Sequence, residues 1–357
     1  MWPLVLVVVA VAVTQIAVAT PATTATADPL ERTALRGPAA QRALLTAAAW
    51  AGDRAVAVGE RGVVLHSDDM GVTWEQAAVP VSVTLTAVAF ATPRTGWTVG
   101  HSGAVLRSDD AGDSWTLVLD GRRAAQLVLT QTENDPGADE ERLQGARQLV
   151  NDGPDKPFLG ILPLGADSAV VYGAYNLVFL TRDGGKSWAS LGHRVDNVAG
   201  LHVYGLVQTP SGGYAAAGEQ GTLYAGAGPE FALTAVPAVG DASLFGLLST
   251  ASGELYAYGL LGTVLRSSDD GHSWTACVSG TRASITDAAE RADGSLALIT
   301  AAGEVRLSAA GACRFRSIPA GEPAPFTAVL ALPDGHLLVT GPGGARVVSV
   351  PPSAEVQ

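Results

Sequence analysis

The sequence predicts an all-β fold, a seven-bladed β-propeller with one helical insertion between the second and third blades. Three observations support this prediction. A short motif returns four times, a glycine turn returns seven times, and most copies are spaced by about 41–45 residues, a period typical of propeller blades. In addition, only 16% of residues are charged and 42 are glycine, which favours many short strands joined by tight turns.

The motif S/T-x-D-x-G-x-[ST]-W occurs at 67–74, 108–115, 181–188 and 267–274. Its aspartate can accept hydrogen bonds within its own turn, and its glycine suits a left-handed backbone. Its tryptophan can begin a strand and pack on a neighbouring sheet. We therefore predict a structural role, as the turn between the third and fourth strands of a blade. The residues assigned to this role are Asp69, Trp74, Asp110, Trp115, Asp183, Trp188, Asp269 and Trp274.

The glycine turn is predicted to separate the second and third strands of each blade. It stands in "VGERGVVLHS" (58–67), "VGHSGAVLRS" (99–108), "YGAYNLVFLT" (172–181), "AGEQGTLYAG" (217–226) and "YGLLGTVLRS" (258–267), with weaker copies at 299–308 and 339–350. Seven copies predict seven blades. The last copy stops after its third strand, so we expect the segment Leu30 to Leu35 to supply the fourth strand and close the ring.

The predicted domain organisation is a leader at 1–27, a single propeller at 28–350 and a tail at 351–357. The leader holds an apolar run from Leu4 to Ala19, followed by small-x-small cleavage sites at 17–19 and 25–27. An apolar run of about 16 residues suits the core of a signal peptide better than a spanning helix. We expect export, to the periplasm or beyond. An uncleaved anchor and a misassigned start are the alternatives.

The chain has two cysteines, Cys277 and Cys313. In an exported protein an even pair favours a disulfide. The predicted outer strands of neighbouring blades diverge, however, and a disulfide needs Cα atoms within about 7 Å of each other. From the sequence, both the bonded and the free state stay open.

Function is expected on the ring face that carries the insertion, at about 120–157. Trp115 and Trp188 are 73 residues apart, and an amphipathic helix is predicted after Asp135, with Leu143, Ala146, Leu149 and Val150 on one side. The turns between second and third strands share this face, and loops on a rigid scaffold commonly carry binding. The candidate binding residues are Glu60, Arg61, His101, Arg142, Arg147, Tyr175, Asn176 and Glu219. The alternative is that the helix only covers the ring.

Other functions are less well supported by the residues. A net charge of −12 disfavours nucleic acid as a partner. The six histidines are scattered without ligand spacing, so we expect neither a metal nor a cofactor. A sialidase carries the same aspartate motif but needs three arginines and a tyrosine beside a glutamate, and we find no such tyrosine in an inner-strand context. We therefore expect a monomer without enzymatic activity and assign no catalytic residue.

The four motifs match the Asp-box, or bacterial neuraminidase repeat. From about Leu44 to Val350 the chain resembles the photosystem II assembly and stability factor family of seven-bladed propellers, in particular its relatives in non-photosynthetic bacteria. The stretches that carry the likeness are "AVAVGERGVVLHSDDMGVTWEQAAVPVSVTLTAVAF" (55–90), "GWTVGHSGAVLRSDDAGDSW" (96–115), "DKPFLGI" (155–161) and "GLLGTVLRSSDDGHSW" (259–274).

This resemblance implies an exported, non-enzymatic propeller. The photosynthetic members of the family help to assemble a membrane complex by binding an unassembled membrane subunit. A membrane protein or membrane-associated complex is therefore the expected partner here. Two alternatives remain: an accessory subunit that binds glycan or lipid beside a membrane transporter, and a sialidase-like glycosidase.

Overall fold

The computed structural model describes residues 27–228 and 231–351. Within these ranges the chain forms seven antiparallel sheets, numbered here as blades one to seven in chain order, and the predicted seven-bladed propeller is confirmed. The predicted leader lies outside the described residues except for Ala27, and the tail lies outside them except for Pro351.

Six blades have four strands each, and the seventh has three. Blades one and two are β1–β4 (Leu45–Ala51, Arg54–Gly59, Val64–Ser67, Glu75–Gln76) and β5–β8 (Leu85–Phe90, Gly96–Gly100, Val105–Ser108, Thr116–Leu119). Blades three and four are β9–β12 (Phe158–Pro163, Ala169–Gly173, Val178–Thr181, Ala189–Ser190) and β13–β16 (Val203–Gln208, Tyr214–Gly218, Leu223–Gly226, Thr234–Val236). Blades five to seven are β17–β20 (Leu244–Ser249, Leu255–Gly259, Val264–Ser267, Thr275–Ala276), β21–β24 (Ile285–Glu290, Leu296–Thr300, Val305–Leu307, Arg316–Ile318) and β25–β27 (Ala328–Ala331, Leu337–Gly341, Gly344–Val348).

The second strand of each blade forms much of the core. In β6, β10, β14, β18, β22 and β26 every residue is buried. Both faces of such a strand are covered by neighbouring blades, which is why these segments are almost continuously apolar rather than alternating. The first strands pair with them and pack against the first strands of neighbouring blades.

The first strand carries a β-bulge at the same place in six blades. In blade one Leu45 pairs with Gly59 and Ala47 pairs with Val58, so the intervening residue has no partner in the ladder. A bulge re-aims the side chain of its extra residue and occurs frequently beside functional sites. The extra residues are Thr46, Thr86, Leu159, Tyr204, Phe245 and Thr286.

The four aspartate motifs form turns between the third and fourth strands, as predicted. In blade two the Ser108 hydroxyl donates to Asp110 Oδ1 (2.7 Å) and accepts from Gly112 N (2.9 Å). Ser114 donates to both carboxylate oxygens of Asp110, and Trp115 Nε1 donates to the Gly112 carbonyl (3.1 Å). The same hydrogen bonds recur in blades one, three and five. The motif therefore satisfies its polar groups within its own turn.

The hydrogen bonds of these turns also lower the pKa of the aspartate carboxyl groups. Donation from the hydroxyl of Thr73 lowers the pKa of Asp69 to about 2, and donation from Ser187 does the same for Asp183. Each carboxylate is held in its charged form by donors of its own turn.

The prediction for ring closure is wrong. Residues 29–34 lie along blade one, where Ser82 N donates to the Pro29 carbonyl (2.8 Å) and Ala34 N donates to the Val79 carbonyl (3.1 Å). Blade seven keeps three strands in the described part of the chain, and the short 3-10 helix Pro38–Arg42 lies against β27 instead. The apolar side chain of Leu30 explains the placement, because it is buried in the core between blades one and two.

Cys277 and Cys313 form a disulfide, with 4.8 Å between their Cα atoms. The outer edges of blades five and six do not diverge at this point. Val278 N donates to the Cys313 carbonyl and Phe315 N donates to the Val278 carbonyl, both at 2.9 Å. This bridge between blades brings the two cysteines within bonding distance.

The insertion contains two helices rather than one, and together they connect β8 to β9. Helix α1 is Gly121–Glu133, capped by the Asp120 side chain, and helix α2 is Glu140–Asp152, capped by Asp139. Helix α1 was not predicted from the sequence, because its "LVLT" stretch has the composition of a strand. The predicted helix is α2, which begins at Glu140 rather than near Pro136 and buries Ala146.

Candidate functional site

The helices and the turns between second and third strands lie on one face of the ring, which we call the helix face. The start of α1 lies against the turn of blade two, where a Cβ on Gly103 would be 2.5 Å from Gly121 Cα. The aspartate turns follow the third strands and lie on the opposite face. Five of these turns, those of blades one to five, form a short 3-10 helix: Glu60–Gly62, His101–Gly103, Ala174–Asn176, Glu219–Gly221 and Leu260–Gly262.

The middle residue of each of these turns has a left-handed backbone although it is not glycine. The residues are Arg61 (φ 54°), Ser102 (φ 58°), Tyr175 (φ 53°), Gln220 (φ 56°) and Leu261 (φ 56°). For bulky side chains this conformation costs about 1 kcal/mol or more. Tyr175 and Leu261 are nevertheless 58% and 69% exposed, so neither burial nor turn geometry accounts for a large apolar residue at these two positions.

The bulge position divides the ring into two arcs. Blades six, seven, one and two have threonine there, counting Thr327 just before β25, whereas blades three to five have Leu159, Tyr204 and Phe245. Three threonines bridge to the next blade through a 2.6 Å hydrogen bond from Oγ1 to a carbonyl oxygen. These bonds run from Thr327 to Leu45, from Thr46 to Leu85 and from Thr86 to Phe158.

In blades three to five, four ring side chains form a row, which we call the aromatic row: Tyr175, His202, Tyr204 and Phe245. Two of them, Tyr204 and Phe245, occupy the bulge position. Successive ring centroids are 4.9, 6.0 and 5.8 Å apart. His202 is held by Glu219, whose Oε2 lies 3.0 Å from Nδ1 and accepts from the His202 backbone N–H (3.1 Å). Burial, with the charge of Glu219, raises the pKa of Tyr204, so its phenol stays a neutral donor.

A cleft of about 1400 Å³ adjoins the aromatic row, and we call it the helix cleft. Its walls are α1 and α2 on one side and the outer parts of blades three and four on the other. Tyr175 belongs to both the row and the cleft, and Lys156 Nζ lies 5.5 Å from the centre of its ring. The face therefore places aromatic side chains next to a cleft that is lined by both apolar and charged groups.

The structure brings four of the eight candidate binding residues to this region. Tyr175, Asn176 and Arg142 line the cleft, and Glu219 holds His202 in the row. Arg142 is neutralised by Asp135, with 2.9 Å between Nη2 and Oδ2.

The remaining four candidates have other positions. Arg147 is exposed and pairs with Glu140 at 3.4 Å. Glu60 accepts a hydrogen bond from Leu44 N (3.0 Å) and supports its own blade. Arg61 and His101 are exposed at turns of blades one and two, which belong to the arc with threonine at the bulge position.

His202, Tyr204 and Phe245 were not among the binding residues predicted from the sequence. The signal that was available is their position, because Tyr204 and Phe245 occupy the second residue of a first strand, where four other repeats have threonine. An alignment of the repeats on their first strands, rather than on their tryptophans, would have shown three apolar or aromatic replacements in adjacent blades.

A tyrosine does lie beside a glutamate, although on a second strand. The Tyr256 hydroxyl donates to Glu254 Oε2 (3.0 Å), and Arg266 pairs with the same carboxylate. Tyr256 is only 1% exposed, and burial together with the charge of Glu290 raises its pKa. A phenol with these properties is a poor nucleophile, because its anion is disfavoured.

No helix in residues 27–228 and 231–351 is both long and apolar enough to cross a bilayer. Nor does this part of the chain gather three or more histidine, cysteine, aspartate or glutamate side chains in an arrangement that would hold a metal ion.

No protein-family model and no curated protein matches the chain. Solved structures do match it. A structure described as "YCF48 bound to D1 peptide" is 19% identical, with a TM-score of 0.62 over 90% of this chain and 97% of its own. YCF48 from Cyanidioschyzon merolae is 15% identical, with a TM-score of 0.63 over 87% and 96%. The WD40 propeller domain of Doa1 is 12% identical, with a TM-score of 0.61 over 91% and 97%. At these identities the similarity shows the propeller fold.

Proposed function

We propose that this protein is an exported, non-catalytic scaffold that holds a polypeptide segment of a membrane protein while a membrane complex is assembled. The observation that carries the proposal is the aromatic row on the helix face, in which Tyr175 is exposed, together with the exposed Leu261 in the turn of blade five on the same face. Clustered aromatic side chains at a partly desolvated surface commonly contribute most of the affinity at protein interfaces.

Two further observations support the individual parts of this proposal. Among the similar folds is a YCF48 structure with a bound D1 peptide, so this architecture can hold a peptide. The disulfide between Cys277 and Cys313 suits an oxidising compartment outside the cytosol, in agreement with the apolar leader.

The proposal is tested by capture of partners from membranes of the native host. Tyr204→Thr and Phe245→Thr, introduced together, place at each bulge the residue that four other repeats already use, so the propeller should fold. Loss of two anchoring rings should weaken capture about tenfold or more. Crosslinking with the tagged mature protein, followed by mass spectrometry of captured proteins, measures this effect.

Val72→Thr is the matched control, because Val72 is an apolar side chain 78% exposed in an aspartate turn on the opposite face. It should leave capture unchanged. If the double variant folds and still captures every partner, or if Val72→Thr weakens capture equally, the helix face is not the docking surface. Capture of glycan or lipid in place of protein would also contradict the proposal.

A further inference from the structure

The helix cleft is larger than the sites that hold small molecules. Its volume of about 1400 Å³ exceeds the range of about 300–1,000 Å³ that is common for small-molecule pockets. It is partly open to solvent, so an extended chain can enter it. Val198 lies at its rim with 99% of its side chain exposed, and Leu149 and Leu177 add apolar lining.

More negatively charged than positively charged side chains line the cleft. Five carboxylates line it, against three cationic side chains; the carboxylates are Asp135, Asp139, Glu141, Asp152 and Asp196, and the cations are Arg142, Lys156 and Arg194. Arg142 pairs with Asp135 (2.9 Å) and Lys156 pairs with Asp152 (3.0 Å), so these pairs add no net charge to the cleft.

His193, which also lines the cleft, adds little positive charge at neutral pH. Burial and the nearby Arg194 and Arg142 guanidinium groups lower its pKa, against the smaller effect of Asp135. The cleft is therefore acidic as a whole, and Glu141 and Asp196 are exposed within it.

Asn176 lines the cleft, and no described residue donates a hydrogen bond to its side-chain oxygen. Its Nδ2 donates to the Gly192 carbonyl (2.9 Å), which fixes the orientation of the amide. Its Oδ1 is buried and accepts no hydrogen bond from the described residues. Four other blades place glycine at this point of the turn, namely Gly62, Gly103, Gly221 and Gly262. An N–H from a bound chain would satisfy this buried oxygen.

We infer that the helix cleft binds an extended polypeptide segment that carries lysine or arginine among apolar residues. Glu141 and Asp196 supply the charge that selects the cation. The apolar lining takes the neighbouring side chains, and Asn176 Oδ1 accepts an N–H of the segment. The inference deepens the proposed function, since the cleft continues the same face. It names the chemistry of the segment that the face would hold.

The test uses purified mature protein and three labelled nine-residue peptides in which leucine alternates with lysine, with glutamine or with glutamate. Fluorescence anisotropy gives the dissociation constants at low and moderate salt. The lysine peptide should bind at least tenfold more tightly than the glutamine peptide, and the glutamate peptide should bind most weakly. This order should weaken as salt rises, because screening reduces charge attraction.

The variant Glu141→Gln with Asp196→Asn should weaken binding of the lysine peptide about tenfold. Its matched control is Asp53→Asn with Glu75→Gln, which removes the same total charge at exposed positions outside the cleft. The control should change binding less than twofold. Equal effects of the two double variants, or no preference for lysine over glutamine, would overturn the inference.

Asn176→Gly provides a second, uncharged test. Glycine stands at this point in four other blades, so the turn should form, while the buried acceptor is removed. Binding of both the lysine and the glutamine peptide should weaken severalfold, and unchanged affinity would contradict a role for Asn176. Because the peptides are tested without membranes, this result is separate from partner capture. If the Tyr204 and Phe245 variants abolish capture while the cleft variants change no peptide affinity, the proposed function stands and the cleft inference fails.

Discussion

The threonine arc, blades six, seven, one and two, and the aromatic arc, blades three to five, use one backbone position in opposite ways. On the threonine arc the bulge residue is small, and Thr46 and Thr86 close the seam to the next blade with a hydrogen bond to its carbonyl. On the aromatic arc Tyr204 and Phe245 present rings instead. The comparison teaches that the same bulge can either join neighbouring blades or display a side chain, and the residue type decides which.

The two junctions between the arcs are strongly fastened. Between blades five and six the Cys277–Cys313 disulfide joins the outer edges, and the Tyr258 hydroxyl donates to Asp287 Oδ1 (2.9 Å) further inside. Between blades two and three Thr86 bridges to Phe158, and Trp97 packs edge-on against the ring of Trp188. The surface that displays the rings thus lies between two seams that are joined by several contacts, which favours a fixed arrangement of its side chains.

The largest expected effect concerns the disulfide at the first junction. Replacing both cysteines, Cys277→Ser with Cys313→Ser, should lower the free energy of unfolding by about 2–4 kcal/mol, because the bond closes a long loop in the unfolded chain. Urea unfolding of the oxidised protein and of the variant measures this difference. If the two unfold at the same urea concentration, the junction does not depend on the bond.

The second effect is a pH dependence of the unfolding free energy that arises from Asp287, on the first strand of blade six. Burial raises the pKa of Asp287 to about 6, against the lowering effect of hydrogen bonds from Val329 N, Ala288 N and the Tyr258 hydroxyl. The folded protein then holds this proton more tightly than the unfolded chain does. The stability that this group contributes is complete below about pH 4 and is lost as the pH rises through about 6. The loss should be on the order of 1–3 kcal/mol, at about 1.4 kcal/mol per pKa unit.

The variant Asp287→Ala isolates the contribution of this carboxyl group from that of every other titrating group. Other blades have alanine or glycine at the equivalent position, namely Ala47, Ala87, Gly160, Gly205, Gly246 and Ala328, so the strand should tolerate the change. The difference in unfolding free energy between wild type and variant should vary between pH 4 and 7. A constant difference over that range would show that Asp287 titrates normally.

The smallest expected effect is the loss of unfolding free energy when a bridging threonine loses its hydroxyl. Thr86→Val keeps the side-chain shape but removes the donor to the Phe158 carbonyl, and it should cost about 1 kcal/mol of unfolding free energy. Tyr204→Phe removes a hydroxyl at the same bulge position on the aromatic arc and should cost less than about 0.5 kcal/mol. Equal costs would mean that the two arcs do not differ in how their blades are joined.

The repeats were predictable because their signals are local. An aspartate turn such as 108–115 satisfies its hydrogen bonds among residues no more than four apart, so each copy carries its whole signature in the sequence. Helix α2 was predictable for a related reason, since its apolar side recurs with the period of a helix. The same local logic placed Tyr175 and Asn176 on the helix face, because the turn that holds them follows directly from the strand pattern.

By itself, then, the sequence determined the seven blades, the aspartate turns and the face on which the insertion lies. Tertiary structure decided the rest. Tyr175, His202, Tyr204 and Phe245 come from three blades and meet only because ring closure and two bulges bring them together. The disulfide likewise depends on a bridge between the outer edges of blades five and six. Such contacts depend on where a closed ring places side chains from separate repeats, which no local hydrogen-bond pattern or periodicity encodes.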